Sequence, residues 1–234
     1  MNKEEFILEC KKINIDIDEE IMLKLNKYKD LLIEWNKKFN LTTIIEEKDI
    51  YLKHFYDSIY ISTFENFDNK NICDFGTGAG FPGMILAIIF KNSQVTLIES
   101  NSKKISFLEE VKKELDINNV IIINDRAELY GKNNREIYDI VTCRAVSNLN
   151  IILELSVSML KVNGLFIPMK SNVDEELIKS KSLEKELGYE LIDKKEYILP
   201  IEESKRTILK YKKINKTNER FPRNYNIIKK LSNK

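Results

Sequence analysis

Apolar positions in the first third of the chain recur at helical spacing. Between residues 18 and 39, Ile21, Leu25, Tyr28, Leu32, Trp35 and Phe39 step by four and three and form one face. Asp18 stands where an N-cap belongs. A second, shorter helix is predicted over about residues 46–60, carrying Ile50, His54, Phe55 and Ile59. From residue 71 the pattern changes. Short β-type runs at 71–75, 95–99 (VTLIE), 120–124 (VIIIN), 138–143 (YDIVTC) and 164–169 (GLFIPM) alternate with helical runs at 82–90, 103–115, 150–160 and 174–187. Two further strands, near 190–197 and 206–211, follow with no helix between them. Strands separated by helices imply parallel βαβ units, and the final pair implies an antiparallel hairpin. The expectation is an α/β, Rossmann-like, seven-stranded, mostly parallel sheet with an N-terminal helical cap. The cap is assigned to residues 1–68, the core to 69–214 and a basic C-terminal tail to 215–234, in one compact unit. The stretch FENFDNK at 64–70 is the seam.

Composition narrows the class. The chain has 234 residues, 43% hydrophobic and 32% charged. That is enough to bury a core without disulfides or metals. Neither a secretory leader nor a run of about 18 apolar residues is visible, so no membrane association is expected. Cys10, Cys73 and Cys143 are far apart and odd in number, which points to reduced thiols in a cytoplasmic protein. With His54 the only histidine, neither a metal centre nor a histidine-based triad is expected. The net charge of +1 hides an asymmetry. Residues 205–234 hold eleven Lys/Arg against Glu219 alone. A basic end on an acidic body points to a polyanionic partner, against the plainer reading of a solvated strand and fraying tail.

The candidate chemistry begins at CDFGTGAGFPG, residues 73–83. A dinucleotide fingerprint would place its third glycine where Phe81 stands, and no phosphate-binding GK[ST] follows. What remains is Asp74 followed by Gly76, Gly78 and Gly80, which resembles the first motif of class I S-adenosylmethionine-dependent methyltransferases. Glycines there allow close backbone approach and positive φ. Asp74 can favour a cationic amino group or simply cap the turn. Glu99, ending the second strand, can accept from ribose hydroxyls or serve as a helix N-terminal charge. The third strand ends in DRAE, whose Ala127 and Glu128 can meet an adenine edge. Arg144, after the fourth strand, can position a base or phosphate, or pair with Asp74 or Glu99. Cys143 lacks the Pro-Cys context of a cytosine-modifying nucleophile and reads as a small buried residue.

Several stretches occur together in order: WNKKFNLT, KHFYDSI, DFGTGAGFPG, IES with KKISFLEEV, DRAE and CRAVSNLN. Over about residues 20–225 the chain resembles the GidB/RsmG family of bacterial 16S rRNA guanine-N7 methyltransferases. The resemblance implies an enzyme that uses S-adenosylmethionine to methylate N7 of a guanosine in the 530-region loop. It implies 16S rRNA or the assembling small subunit as partner, and a monomer. Cofactor-binding residues would be Asp74, Gly76, Gly78, Gly80, Phe81, Glu99, Ala127, Glu128 and Arg144. Arg144 would also position or charge-stabilise the reacting groups, with no general base. His54, Lys170, Arg220, Arg223, Lys229 and Lys230 would face RNA, with a structural role for His54 and simple solvation for Lys170 as the alternatives. The family commonly closes with a Gly-Thr-Pro turn after Pro-Arg. Here Phe221-Pro222-Arg223 persists, but an Asn/Tyr/Ile stretch replaces that turn. Two other functions stay open: a methyltransferase for another RNA, a protein or a small molecule, and a non-catalytic nucleoside- or RNA-binding protein.

Overall fold

The computed structural model describes residues 1–232; Asn233 and Lys234, the end of the basic tail, lie outside the described residues. Helix α1 (Lys3–Lys12) has no counterpart in the hydrophobic pattern. It is set by a capping box: the Asn2 side chain accepts from the Glu5 amide, and the Glu5 carboxylate accepts from the Asn2 amide. Helix α2 (Glu19–Phe39) starts where expected, with the Asp18 carboxylate accepting from the Ile21 amide at 2.7 Å. Its predicted face is buried at Ile21, Leu25, Tyr28 and Leu32, but Phe39 at its end is exposed.

The second cap helix has the expected extent but not the expected winding. It runs as α3 (Glu47–Asp49), a π-helical stretch (Ile50–Tyr56) and α4 (Asp57–Tyr60). A π turn is wider than an α turn and often marks a functional site. Here it brings the Lys53 carbonyl, His54 and Asp57 onto one side, against a single arginine of the sheet.

The sheet consists of β1 (Asn71–Phe75), β2 (Gln94–Glu99), β3 (Val120–Asn124), β4 (Tyr138–Arg144), β5 (Leu160–Lys170), β6 (Tyr189–Ile198) and β7 (Lys205–Lys213). Its order is β3-β2-β1-β4-β5-β7-β6. The first five strands are parallel; β7 runs antiparallel to both β5 and β6. The crossovers are α5 (Gly83–Ile89), α6 (Ser102–Glu114), α7 (Ala127–Asn133), α8 (Leu149–Val157) and α9 (Asp174–Leu187). The chain order reverses between β1 and β4, which creates a crevice at the carboxyl ends of those strands.

Two local corrections have physical causes. The apolar run after residue 150 fits helix and buried strand alike, so a helix predicted through residue 160 is too long. The helix stops at Val157 and the strand starts at Leu160. Helix α10 (Tyr225–Ser232) forms in the segment expected to be a tail, and its Ile228 is buried.

One apolar cluster joins Phe6, Tyr28, Tyr51 and Phe55 of the cap to Ile85, Leu97 and Phe107 of the sheet layer. A second, on the other face, gathers Phe75, Ile152, Phe166, Tyr211 and the C-terminal Phe221 and Ile228. No helix among the described residues is long and apolar enough to cross a membrane.

Candidate active site

The glycine turn connects β1 to α5. Gly76 and Gly78 have φ +64° and Gly80 has φ +96°, a region that L side chains rarely adopt. The amides of Gly76 and Thr77 both donate to the Ile98 carbonyl, so the turn is tied to the end of β2. Asp74 lies fully buried beneath it. Its Oδ2 accepts from the Thr77 hydroxyl at 2.6 Å and the Gly83 amide at 2.7 Å, while Oδ1 has no partner. Burial outweighs these bonds and pushes the carboxyl up to about 7.

Phe81 is stacked between two cap residues. Its ring centroid lies 5.4 Å from Tyr28 and 4.3 Å from His54, at interplanar angles of 17° and 5°. The Tyr28 hydroxyl donates to the Ala79 carbonyl at 2.5 Å. The cap therefore grips the turn at both the aromatic and the backbone level.

Beyond the turn lies a slot of about 150 Å³. Gly76, Glu99, Ala127 and Glu128 line it, with Ile98, Val146 and Leu155 as apolar walls and Tyr225 at its edge. Four of the residues singled out in the sequence thus converge from three different loops. Glu99 accepts from the Gly78 amide at 3.0 Å and the Asn101 amide at 2.9 Å. Glu128 is held by Arg126 Nε at 2.6 Å. A cavity of about 390 Å³ is lined by Ile44, Lys53, His54, Asp57, Arg144, Met169, Lys170 and Arg206.

Arg144 ends β4 inside that second cavity. Nη1 donates to Asp57 Oδ2 at 2.9 Å and to the Lys53 carbonyl at 2.8 Å; Nη2 faces His54 Nδ1 at 3.2 Å. Its guanidinium also lies 5.4 Å from the Phe81 centroid. The ion-pair partner is Asp57, neither Asp74 nor Glu99. Because an arginine can only donate, His54 Nδ1 must accept and Nε2 carries the proton toward Thr42 Oγ1, 3.1 Å away. Burial, aided by the charges of Arg144 and Lys53, pulls the imidazole down to about 3. His54 is a neutral, fully bonded ring and not a proton carrier.

The residues assigned to RNA fall in three places. His54 and Lys170 line the 390 Å³ cavity, with Lys170 held by Glu176 at 2.8 Å and the Ser147 carbonyl at 2.9 Å. Arg220 and Arg223 border a different cleft, beside α7. Arg220 pairs with Glu186, and Arg223 chelates the buried Glu154. Lys229 and Lys230 are exposed on α10. Cys143 is buried, and burial holds its thiol well above the ordinary range. Sequence reasoning alone misses Arg206, Tyr225 and the pairing of Asp57 with Arg144. Asp57 is within its reach, since it stands in the KHFYDSI stretch.

The strand order, the glycine turn after β1 and the acid ending β2 define a class I S-adenosylmethionine-dependent methyltransferase. Solved structures share this fold. M. jannaschii TYW2 in complex with AdoMet superposes with a TM-score of 0.55 at 20% identity, covering 68% of this chain and 75% of that one. A SAM-dependent methyltransferase from Aquifex aeolicus gives 0.56 at 14% identity, covering 75% and 97%. At the sequence level, the GidB family model, described as rRNA small subunit methyltransferase G, matches residues 21–216. The chain is 43% identical to the Bacillus subtilis ribosomal RNA small subunit methyltransferase G, covering 95% of each chain. It is 46% identical to the Mycoplasma capricolum protein of the same name, covering 94% of each. The chain belongs to the GidB family.

The residues present fit the cofactor of that class. A Cβ at Gly78 would meet only Lys104 Nζ, at 3.8 Å, so the turn presents open backbone there. The slot combines apolar walls with the acceptor Glu99, which suits a purine nucleoside carrying free hydroxyls. Asp74, fully buried, supports the turn from beneath and does not line the slot. No group of three or more metal-ligating side chains occurs among the described residues.

Proposed function

We propose that this chain methylates N7 of a guanosine in the 530-region loop of 16S rRNA, acting in the cytoplasm as a monomer on naked rRNA or the assembling small subunit. S-adenosylmethionine, when bound, supplies an electrophilic methyl group on a sulfonium. Gly76, Gly78, Glu99, Ala127 and Glu128 would hold it. The observation that carries the choice of atom is the chemistry of the neighbouring 390 Å³ cavity, which offers cations and no free base. Arg144, Lys170 and Arg206 line it, His54 is neutral with both nitrogens engaged, and Asp57 is held by Arg144 and by the Tyr197 hydroxyl at 2.6 Å. Guanine N7 carries a free lone pair and needs no deprotonation. Catalysis then reduces to holding the base in line and bonding its polar edge, for which arginine is the natural donor to guanine O6.

The target base must leave its stack to reach such a cavity. The division of labour follows: residues 1–68 close the turn and shape the base cavity, 69–214 supply the glycine turn and the acids of the cofactor slot, and the C-terminal segment presents the exposed Lys229 and Lys230. The test is transfer of a labelled methyl group from S-adenosylmethionine to small subunits from a strain lacking the gene. Label that sensitises one 530-region guanosine to cleavage at N7 supports the reading; label on an exocyclic amine or on protein refutes it.

A further inference from the structure

The segment after β7 does not trail into solvent. It doubles back across α7 and α8 and is held at several points. The Arg135 guanidinium donates to the carbonyls of Thr217, Asn218 and Phe221 at 3.1, 3.2 and 2.7 Å. Phe221 is fully buried. Arg223 Nε donates to both carboxylate oxygens of Glu154, at 2.8 and 3.1 Å, and that carboxylate is itself completely buried. This docking delivers Tyr225, the first residue of α10, to the slot that Glu99 and Glu128 line. The Arg126 guanidinium lies 4.6 Å from the Tyr225 ring centroid and joins it in the lining.

We propose that Tyr225 is a positioning residue for S-adenosylmethionine, so that the docked C-terminal segment is a wall of the cofactor site. A flat aromatic ring matches the apolar face of a purine. The Arg126 charge is matched by Glu128 and faced by the ring, while the acids of the slot take up hydroxyl and amine donors. That chemistry selects a nucleoside over a nucleotide phosphate. The inference rests on the slot being the cofactor site, so the test separates the two claims.

Isothermal titration of S-adenosylhomocysteine into the full-length chain should be compared for wild type, Tyr225→Ala, Tyr225→Phe and Glu99→Ala. Tyr225 is only partly buried, so its variants are expected to fold. The expected result is a loss of about tenfold or more in affinity for Tyr225→Ala, with wild-type affinity for Tyr225→Phe and a loss for Glu99→Ala. Wild-type affinity in Tyr225→Ala together with a loss in Glu99→Ala would overturn the role of Tyr225 alone. Wild-type affinity in Glu99→Ala would overturn the slot assignment and the inference with it.

Discussion

Arg144 Nη1 and Asp57 Oδ2 lie 2.9 Å apart, joining the end of a sheet strand to the N-terminal cap across 87 residues of sequence. Both side chains are largely buried, at 15% and 5% exposure. Removing one partner of a buried pair strands the other charge. Asp57→Ala should therefore lower unfolding stability by roughly 3 kcal/mol, the lower end of what such breaks cost. The urea midpoint should fall with the slope unchanged. An unchanged midpoint would mean that the pair does not hold cap to sheet.

Two buried groups make opposite contributions to acid stability. Folded Asp74 keeps a proton up to about 7, whereas the unfolded chain releases it near 3.8, so its contribution to stability falls as pH rises through that window. Unfolded His54 gains a proton near 6.5, but the folded site refuses it until about 3, so its contribution is lost as pH falls. Between about pH 4 and 6.5 the two slopes offset each other. Relative to wild type, Asp74→Asn should gain stability as pH rises through this range, and His54→Gln should lose it. Thermal melts across pH 4 to 7 read the differences; parallel profiles for all three proteins would contradict these assignments.

The glycines of the turn should separate stability from binding. A Cβ at Gly80 would fall 2.2 Å from the Tyr28 hydroxyl, whereas one at Gly78 makes only an ordinary contact with Lys104 Nζ at 3.8 Å. Gly78→Ala should cost about 1–2 kcal/mol through its left-handed backbone alone, and on the proposed site its methyl would crowd the cofactor. Gly80→Ala adds an overpacking penalty and should cost roughly 3 kcal/mol or more. Denaturation and cofactor titration on the same samples should show Gly78→Ala as the better folded and the poorer binder. The reverse order would relocate the site.

Much of this is legible in the sequence. The βα alternation, the glycine turn, Glu99 at a strand end and Arg144 at another are local patterns. What stays hidden depends on contacts distant in sequence. Nothing in YNIIKKLS points to a slot beside Glu99; that placement needs Arg223 against Glu154, 69 residues away. The π turn at Ile50–Tyr56 has the same apolar spacing as an α-helix, yet it gathers His54 and Asp57 around Arg144. Helix α1 escapes a reading by apolar spacing, although Asn2 and Glu5 spell its capping box.

RNA binding by the C-terminal segment calls for surface changes, not truncation. Lys213 is fully buried, donating to Glu136 and to the carbonyls of Val157 and Leu160, and Phe221 is core. Removing them would damage the fold. Lys229→Glu with Lys230→Glu leaves those interactions intact. The double variant should bind rRNA more weakly, with a salt dependence shallower by roughly 0.7–0.9 for each phosphate no longer neutralised. Cofactor affinity should not change. Equal RNA affinity at every salt concentration would assign these lysines to solvent.

The most direct test of the proposed activity is mass mapping of 16S rRNA from a strain lacking this gene, beside its parent. The predicted result is loss of a single N7-methylguanosine in the 530-region loop, restored by the wild-type gene and not by Gly78→Asp. An unchanged 530-region guanosine in the deletion strain would contradict it.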